Sequence, residues 1–168
     1  MKPTFETERL RIRQPRESDR VPLIDMAMDD EVMHFISDGG QPREEAEITA
    51  SINIDSTDDT FGGWTIEDKR TGELYGWIVL MPLDKTEDIE VGYGLMKSAW
   101  GRGIATEAAR RVVDYGLNEL NLPEVVAITR PDNIASQNVL RKAGLNRAGF
   151  RDAYGYEGHF YFKIANPG

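Results

Sequence analysis

The segment Trp100-Gly101-Arg102-Gly103-Ile104-Ala105-Thr106 carries the densest chemical signal in the chain. It joins a run that alternates like a strand to a run with helical spacing. Glycines allow a tight backbone turn, and the first turn of a helix offers N–H groups without intrahelical partners and a positive dipole end. Phosphate or pyrophosphate suits such a place. So does a plain strand-to-helix connection. Two familiar phosphate loops do not match. The dinucleotide fingerprint needs a third glycine where Thr106 stands, and the P-loop needs a Gly-Lys-Ser/Thr ending that the chain lacks. A nucleotide-dependent oxidoreductase is thereby disfavoured. In the strand-like run just before, Glu90 shares a face with Gly92 and Gly94, opposite Ile89, Val91 and Tyr93. Glycines inside a strand mark a bulge or the close approach of a ligand or another backbone. A carboxylate beside such a gap can take up a proton, directly or through water. By alternation alone it is a solvated strand carboxylate. His34 is a weaker alternative base and reads better as a surface or packing residue.

These residues need positioning elements, and the patterning supplies them. Arg9-Leu10-Arg11-Ile12-Arg13 alternates as a half-buried strand does. After Pro15, Ser18 stands as a helix N-cap, with Val21, Ile24 and Met28 at helical spacing and Pro22 tolerated in the first turn. A second helix starts after Pro42, where Glu44, Glu45 and Glu47 favour its positive end. The acid-rich stretch 55–59 is a loop. Three runs, beginning at Trp64, Leu74 and Ile89 and separated by turns at 69–72 and 84–88, form an antiparallel meander. Beyond the glycine loop, Ile104, Ala105, Ala108, Ala109, Val112, Val113 and Leu117 make one apolar helical stripe. Residues 123–129 form a buried strand, Asn133 caps a short helix stopped at Gly144, and the aromatic tail 150–164 gives two strands. Trp64 and Trp77 read as core. This order describes one mixed-sheet α/β domain over residues 1–168.

Composition closes off several functions. The 168 residues suit one domain with a sizeable core. Residues 1–99 hold 11 basic and 22 acidic side chains, a net of −11, and residues 100–168 hold 9 and 7, a net of +2. An acidic chain without a basic block is a poor ligand for a nucleic-acid backbone. With no cysteine there is no disulfide, no thiolate zinc site and no enzyme-bound thioester, and His34 and His159 give no metal-ligand spacing. The first twenty residues mix charged and apolar types throughout, unlike a signal peptide, and the longest apolar stretch, residues 77–83, is too short to span a bilayer. A soluble, cytoplasmic protein without metal is expected.

One family unites these features. The loop resembles the acetyl-CoA loop of the GNAT superfamily of N-acetyltransferases, Gln/Arg-x-x-Gly-x-Gly/Ala, with Gly103 and Ala105 matching and Trp100 in place of Gln/Arg. That departure, with the Ala-Thr-Glu-Ala run at 105–108, looks like the RimJ/RimL-type branch, whose members acetylate N-terminal amines of ribosomal proteins and other substrates. Thr7-Glu8-Arg9-Leu10, Glu90-Val91-Gly92-Tyr93, and Asn133-Ile134-Ala135-Ser136 through Lys142-Ala143-Gly144-Leu145 resemble further motifs of that branch, in the right order.

The resemblance implies a GNAT-like single domain with a mixed, mostly antiparallel central sheet flanked by helices. It implies Leu95 and Met96 beside the pantetheine arm of acetyl-CoA. Gly101 and the backbone N–H groups of Arg102, Gly103, Ile104, Ala105 and Thr106 would surround the pyrophosphate. Asn133 would meet the arm, and Arg102, Arg141 or Lys142 the 3′-phosphate. Glu90 is the implied general base. Many members protonate the leaving thiolate with a Tyr where Leu140 stands here, which leaves Ser136 as the donor. Without cysteine, direct transfer to a primary amine in a ternary complex is expected, the amine belonging to a protein N-terminus or a small molecule. The protein is expected to be a monomer or homodimer with no nucleic-acid or membrane partner. The alternative that Leu140 keeps open is a CoA-binding sensor or regulatory module without catalysis. The acidic first part of the chain would face the acceptor, a pattern compatible with steering a cationic amine, although solubility is the plainer reading.

Overall fold

The computed structural model describes residues 1–168. In chain order the elements are β1 (Phe5–Glu6), β2 (Leu10–Arg13), α1 (Arg20–Met28), α2 (Asp30–Ser37), α3 (Arg43–Ile54), β3 (Gly62–Asp68), β4 (Leu74–Pro82) and β5 (Ile89–Leu95). They continue as α4 (Ile104–Asp114), β6 (Glu124–Thr129), α5 (Ile134–Lys142), β7 (Asn146–Ala153) and β8 (Tyr156–Ala165). The strands form one sheet in the order β1-β2-β3-β4-β5-β6-β8-β7. β1–β2, β2–β3, β6–β8 and β7–β8 pair antiparallel, while β5–β6 is parallel with Glu90 opposite Val126. This is the mixed sheet that the patterning predicts, mostly antiparallel in its pairings as the resemblance implies. No helix is long and apolar enough to cross a membrane.

The chain divides into two compact units. The first comprises Met1–Val79 and Tyr93–Ile104. In it β2 buries Leu10 and Ile12, as alternation requires, but it also buries Arg13. Charge on the supposed outer face is accommodated by a network. Arg13 donates to Asp19 at 2.7 and 2.9 Å and to Glu67 at 2.9 Å, and the Thr65 hydroxyl donates to Asp19 at 3.1 Å. Burial alone would push the Asp19 carboxyl up, but Arg13, the Arg16 N–H and Thr65 hold it below its ordinary range. Asp19 also displaces Ser18 from the expected cap. A short 3₁₀ turn, Glu17–Asp19, precedes α1, and Asp19 is the cap residue, its carboxylate turned to Arg13 rather than to the helix. The Ser18 hydroxyl instead accepts from Arg16 Nε. α2 has no counterpart in the patterning because Met33 is its one buried residue. Its start is fixed by the Asp29 carboxylate, which accepts from the N–H groups of Glu31 and Val32. α3 begins after Pro42 as expected and packs Ala46 and Ala50 against Ile24 of α1.

The second unit comprises Leu80–Gly92 and Ala105–Gly168. The apolar stripe of α4 is buried throughout, and Val125, Val126 and Ala127 of β6 are buried as a central strand requires. Asn133 caps α5 by accepting from the Ser136 N–H at 3.2 Å. Gly144, at φ +96°, lets the chain leave the helix and enter β7.

Removing Arg13 would strand two buried carboxylates. Arg13→Ala is expected to destabilise the protein by about 3–5 kcal/mol, to be read from urea unfolding at neutral pH. A loss below about 1 kcal/mol would mean that the network is solvated rather than structural.

Candidate functional site

At the end of β5 the chain is pinned before it reaches the glycine loop. The Met96 N–H donates to the Tyr75 carbonyl at 2.8 Å, and the Trp100 indole N–H donates to the Leu95 carbonyl at 2.9 Å. Trp100 therefore serves as a peg between strand end and loop. Gly101 and Gly103 have φ of +71° and +74°, the left-handed region that L side chains avoid. A Cβ at Gly101 would meet nothing within 4 Å, so conformation and not crowding requires the glycine there. The loop is braced from the β1–β2 turn by Arg9, whose guanidinium donates to the Arg102 carbonyl at 2.8 Å. Arg9 belongs to the opening Thr7-Glu8-Arg9-Leu10 motif, and this contact gives that motif a physical task.

The side chain of Arg102 folds back onto β4. Its Nη2 donates to the Tyr75 hydroxyl at 3.1 Å and the guanidinium lies 5.0 Å from the Tyr75 ring centre. The Tyr75 hydroxyl in turn donates to Asp68 at 3.0 Å. Arg102 thus contributes its backbone to the loop while its charge is committed elsewhere. Arg141 lies over the Phe162 ring at 5.9 Å, and Lys142 is exposed at the end of α5. Among the strand glycines, Gly94 is explained by packing within the first unit. A Cβ there would come within 2.7 Å of the Trp77 ring, and one at Gly76 within 2.1 Å of the Gly94 carbonyl oxygen. The close approach is thus a neighbouring backbone and an indole. Trp77 is half-buried over this contact, whereas Trp64 is fully buried core.

In the second unit Glu90 is buried, with 7% of its surface exposed. Its side chain accepts from the Tyr154 hydroxyl at the turn between β7 and β8. Burial raises the Glu90 carboxyl to about 7; Tyr154 pulls it down and the nearby Asp84 pushes it further up. A carboxyl poised there exchanges protons near neutrality, the condition general-base chemistry requires. The solvated carboxylate that alternation would give is thereby replaced by a buried one. Tyr154 is the partner of Glu90 that sequence reasoning misses. The available signal is the Tyr154-Gly155 pair between two strands, which marks a hairpin turn but not what its side chain touches.

Ser136 sits half-buried in the first turn of α5, joined to Asn133 by the cap bond, so the side-chain oxygen of Asn133 is occupied in holding the helix. Ala105 and Thr106 lie in the first turn of α4, behind the buried Ile104. Leu140, at 1% exposure, is core. His34 is exposed on α2, edge-on to Phe35 at 4.6 Å. His159 is buried with no hydrogen-bond partner on Nδ1. No group of three metal-ligating side chains is present.

The family profile described as acetyltransferase (GNAT) domain matches residues 9–146. The chain is 31% identical over 160 residues to the uncharacterized N-acetyltransferase YoaA of Bacillus subtilis, covering 94% of this chain and 90% of that one. Among solved structures, a GNAT-family acetyltransferase from Bacillus anthracis superposes with a TM-score of 0.85 at 24% identity, over 99% of this chain and 100% of that one. A spermidine N-acetyltransferase from Vibrio cholerae, in complex with CoA and spermine, superposes with a TM-score of 0.77 at 17% identity, over 95% and 97%. Both likenesses concern the fold.

The raised Glu90 carboxyl has a stability consequence with a definite sign. Between its unfolded value near 4.3 and about 7, the folded protein holds a proton that the unfolded chain has lost, so Glu90 costs stability progressively as pH rises. Glu90→Gln is therefore expected to match the parent near pH 4 and exceed it by roughly 1–3 kcal/mol at pH 8. Urea unfolding at the two pH values tests this. An equal difference at both would show that burial does not shift the group.

Proposed function

The chain belongs to the GNAT acetyltransferase family and is an N-acetyltransferase, and we propose that it transfers an acetyl group from acetyl-CoA directly to a primary amine in a ternary complex. The acceptor class is a protein N-terminal α-amine or a small-molecule amine, in keeping with the RimJ/RimL-like motifs of the sequence.

GNAT acetyltransferases bind acetyl-CoA and an amine acceptor. The residues of this chain fit that cosubstrate. Gly101 and Gly103, both at positive φ and braced by Arg9, lead into the start of α4, where backbone N–H groups and the helix dipole favour an anion. As the resemblance implies, Arg102 through Thr106 would line the pyrophosphate by their backbone, Leu95 and Met96 would flank the pantetheine arm, Asn133 would meet that arm, and Lys142 would meet the 3′-phosphate. Bound acetyl-CoA supplies an acetyl group activated as a thioester. The observation that carries the catalytic reading is the buried Glu90 carboxyl near 7 on the strand that feeds this loop.

At neutral pH an alkylammonium carries no lone pair and cannot attack a carbonyl. Glu90 takes its proton, through water where the nitrogen is beyond direct reach, and leaves the neutral amine. As the new C–N bond forms, the nitrogen releases its second proton and the C–S bond breaks. The Ser136 hydroxyl, at the positive end of α5, would hydrogen-bond the leaving sulfur, and one of the two protons released by nitrogen neutralises the thiolate. The acid-rich first 99 residues, with a net of −11, would favour approach of a cationic acceptor over an anionic one.

Thiol release from acetyl-CoA against a panel of polyamines, amino-acid amines and peptide N-termini tests the assignment. Selective turnover of one amine class is expected, and no release with any amine would overturn it. Glu90→Gln should lower kcat about 100-fold while leaving acetyl-CoA affinity unchanged. It should also abolish the rise of kcat/KM with pH centred near 7. An unaltered pH profile would remove Glu90 from the role. Gly103→Val, forced into a left-handed conformation, is expected to weaken acetyl-CoA binding about tenfold, measured calorimetrically. Retained affinity would count against the loop.

A further inference from the structure

Tyr154 and Gly155 form the two-residue connection between β7 and β8, with φ of +53° and +79°, flanked by the pair Ala153 and Tyr156. Positive φ at both central positions is the pattern of a type I′ hairpin turn, whose first position belongs to Asn, Asp or Gly. A bulky side chain there is strained, so something must hold it. Asp84, in the turn between β4 and β5, does so from both directions. Its carboxylate accepts from the Tyr154 N–H at 2.6 Å, and its own N–H donates to the Tyr154 hydroxyl oxygen at 3.3 Å. That hydroxyl donates to Glu90. A strained residue, a two-point clamp and a buried carboxylate therefore meet in one chain of hydrogen bonds.

We propose that Tyr154 is a positioning residue for the proton-accepting step, its hydroxyl fixing the Glu90 carboxylate and favouring the ionised form, with Asp84 clamping the turn in place. The proposal rests on Glu90 as the base of the acetyl transfer. Burial, followed by the carboxylate itself, pushes the Tyr154 hydroxyl above its ordinary range, so it remains protonated and a donor whenever Glu90 is charged. Once Glu90 has taken a proton, the carboxyl can donate to the same hydroxyl oxygen, and the contact survives both states. The remaining charged or titratable groups on this face are already partnered or distant. Asp88, in the turn just before β5, pairs with Arg151 at 3.3 Å, and Arg151 lies over the Tyr161 ring at 4.4 Å. Lys163, opposite Val126, lies 3.9 Å from Glu124, and His159 is aligned with Arg151 across β7 and β8. The groups that set Glu90 are thus its burial, Tyr154 and Asp84.

The test uses the full chain and two conservative variants. In protein carrying ¹³C-labelled Glu carboxyls, the Glu90 resonance, assigned by its loss in Glu90→Gln, should titrate near 7. Tyr154→Phe keeps the ring and the backbone bond to Asp84 but deletes the donor, so the midpoint should rise by roughly one to two pH units. Asp84→Asn keeps an acceptor for the Tyr154 N–H but removes a like charge, so the midpoint should fall. Shifts of opposite sign cannot come from a general loosening of the fold. The acid limb of kcat/KM for acetyl-CoA-dependent thiol release should follow both shifts. An unmoved midpoint in Tyr154→Phe, or shifts of one sign in both variants, overturns the assignment. If the midpoints move as expected while Glu90→Gln keeps its acid limb, the base assignment fails instead.

Discussion

A carboxylate buried without a cation, Glu90, is the constraint around which its part of the second unit is arranged. Removing a charge from water is costly unless it is paired and hydrogen-bonded, and the chain meets that demand in two opposite ways. Asp19 and Glu67 share Arg13, receive Thr65 and the Arg16 N–H, and stay charged as part of the scaffold. Glu90 receives a tyrosine hydroxyl and lies near a second carboxylate, so its proton is held to about 7. The first arrangement stabilises by fixing charge. The second gives up stability for a proton that can be exchanged, as a general base demands.

The glycine loop follows a related logic of commitment. Basic and aromatic side chains around it turn back onto the protein, to backbone carbonyls and to the Tyr75 side chain. Arg9 holds the Arg102 carbonyl, Trp100 holds the Leu95 carbonyl, and the Arg102 guanidinium stacks on Tyr75. What the loop offers an anion is therefore backbone N–H and helix dipole, set in advance by side chains. Such preorganisation lowers the ordering cost of binding. It also separates two roles that the sequence leaves merged in Arg102, since its amide belongs to the loop and its charge to the scaffold.

Features whose cause is local could be read from the sequence, and those whose cause is a distant partner could not. The α4 stripe and the Asn133 cap depend on residues within a turn or two of each other, and both appear where spacing puts them. Arg13 defeats alternation because its partners lie 6 and 54 residues away. α2 is invisible to periodicity because it buries so little, although Asp29-Asp30-Glu31 is a recognisable helix start. Ser18 loses the cap to its neighbour because Asp19 is drawn inward by Arg13. At the candidate site the same rule holds. Glu90 is marked by the glycines beside it, but its burial and its partner Tyr154 depend on the register of β5 with β6 and of β7 with β8.

The position of Leu140 bears on how the leaving sulfur can be served. At 1% exposure it is a core residue, and a hydroxyl there would require a buried partner of its own. Ser136 lies one turn earlier on the same face of α5, where residues four apart stand above one another. It also lies half-buried in the first helical turn, where the positive dipole end favours a developing anion. A hydroxyl at that end needs less intrinsic acidity than a tyrosine placed mid-helix, because the helix itself shares in stabilising the thiolate. In the proposed reaction, moving the donor from the middle of α5 to its start lets the core close over Leu140 without removing hydrogen-bonding support from the leaving group.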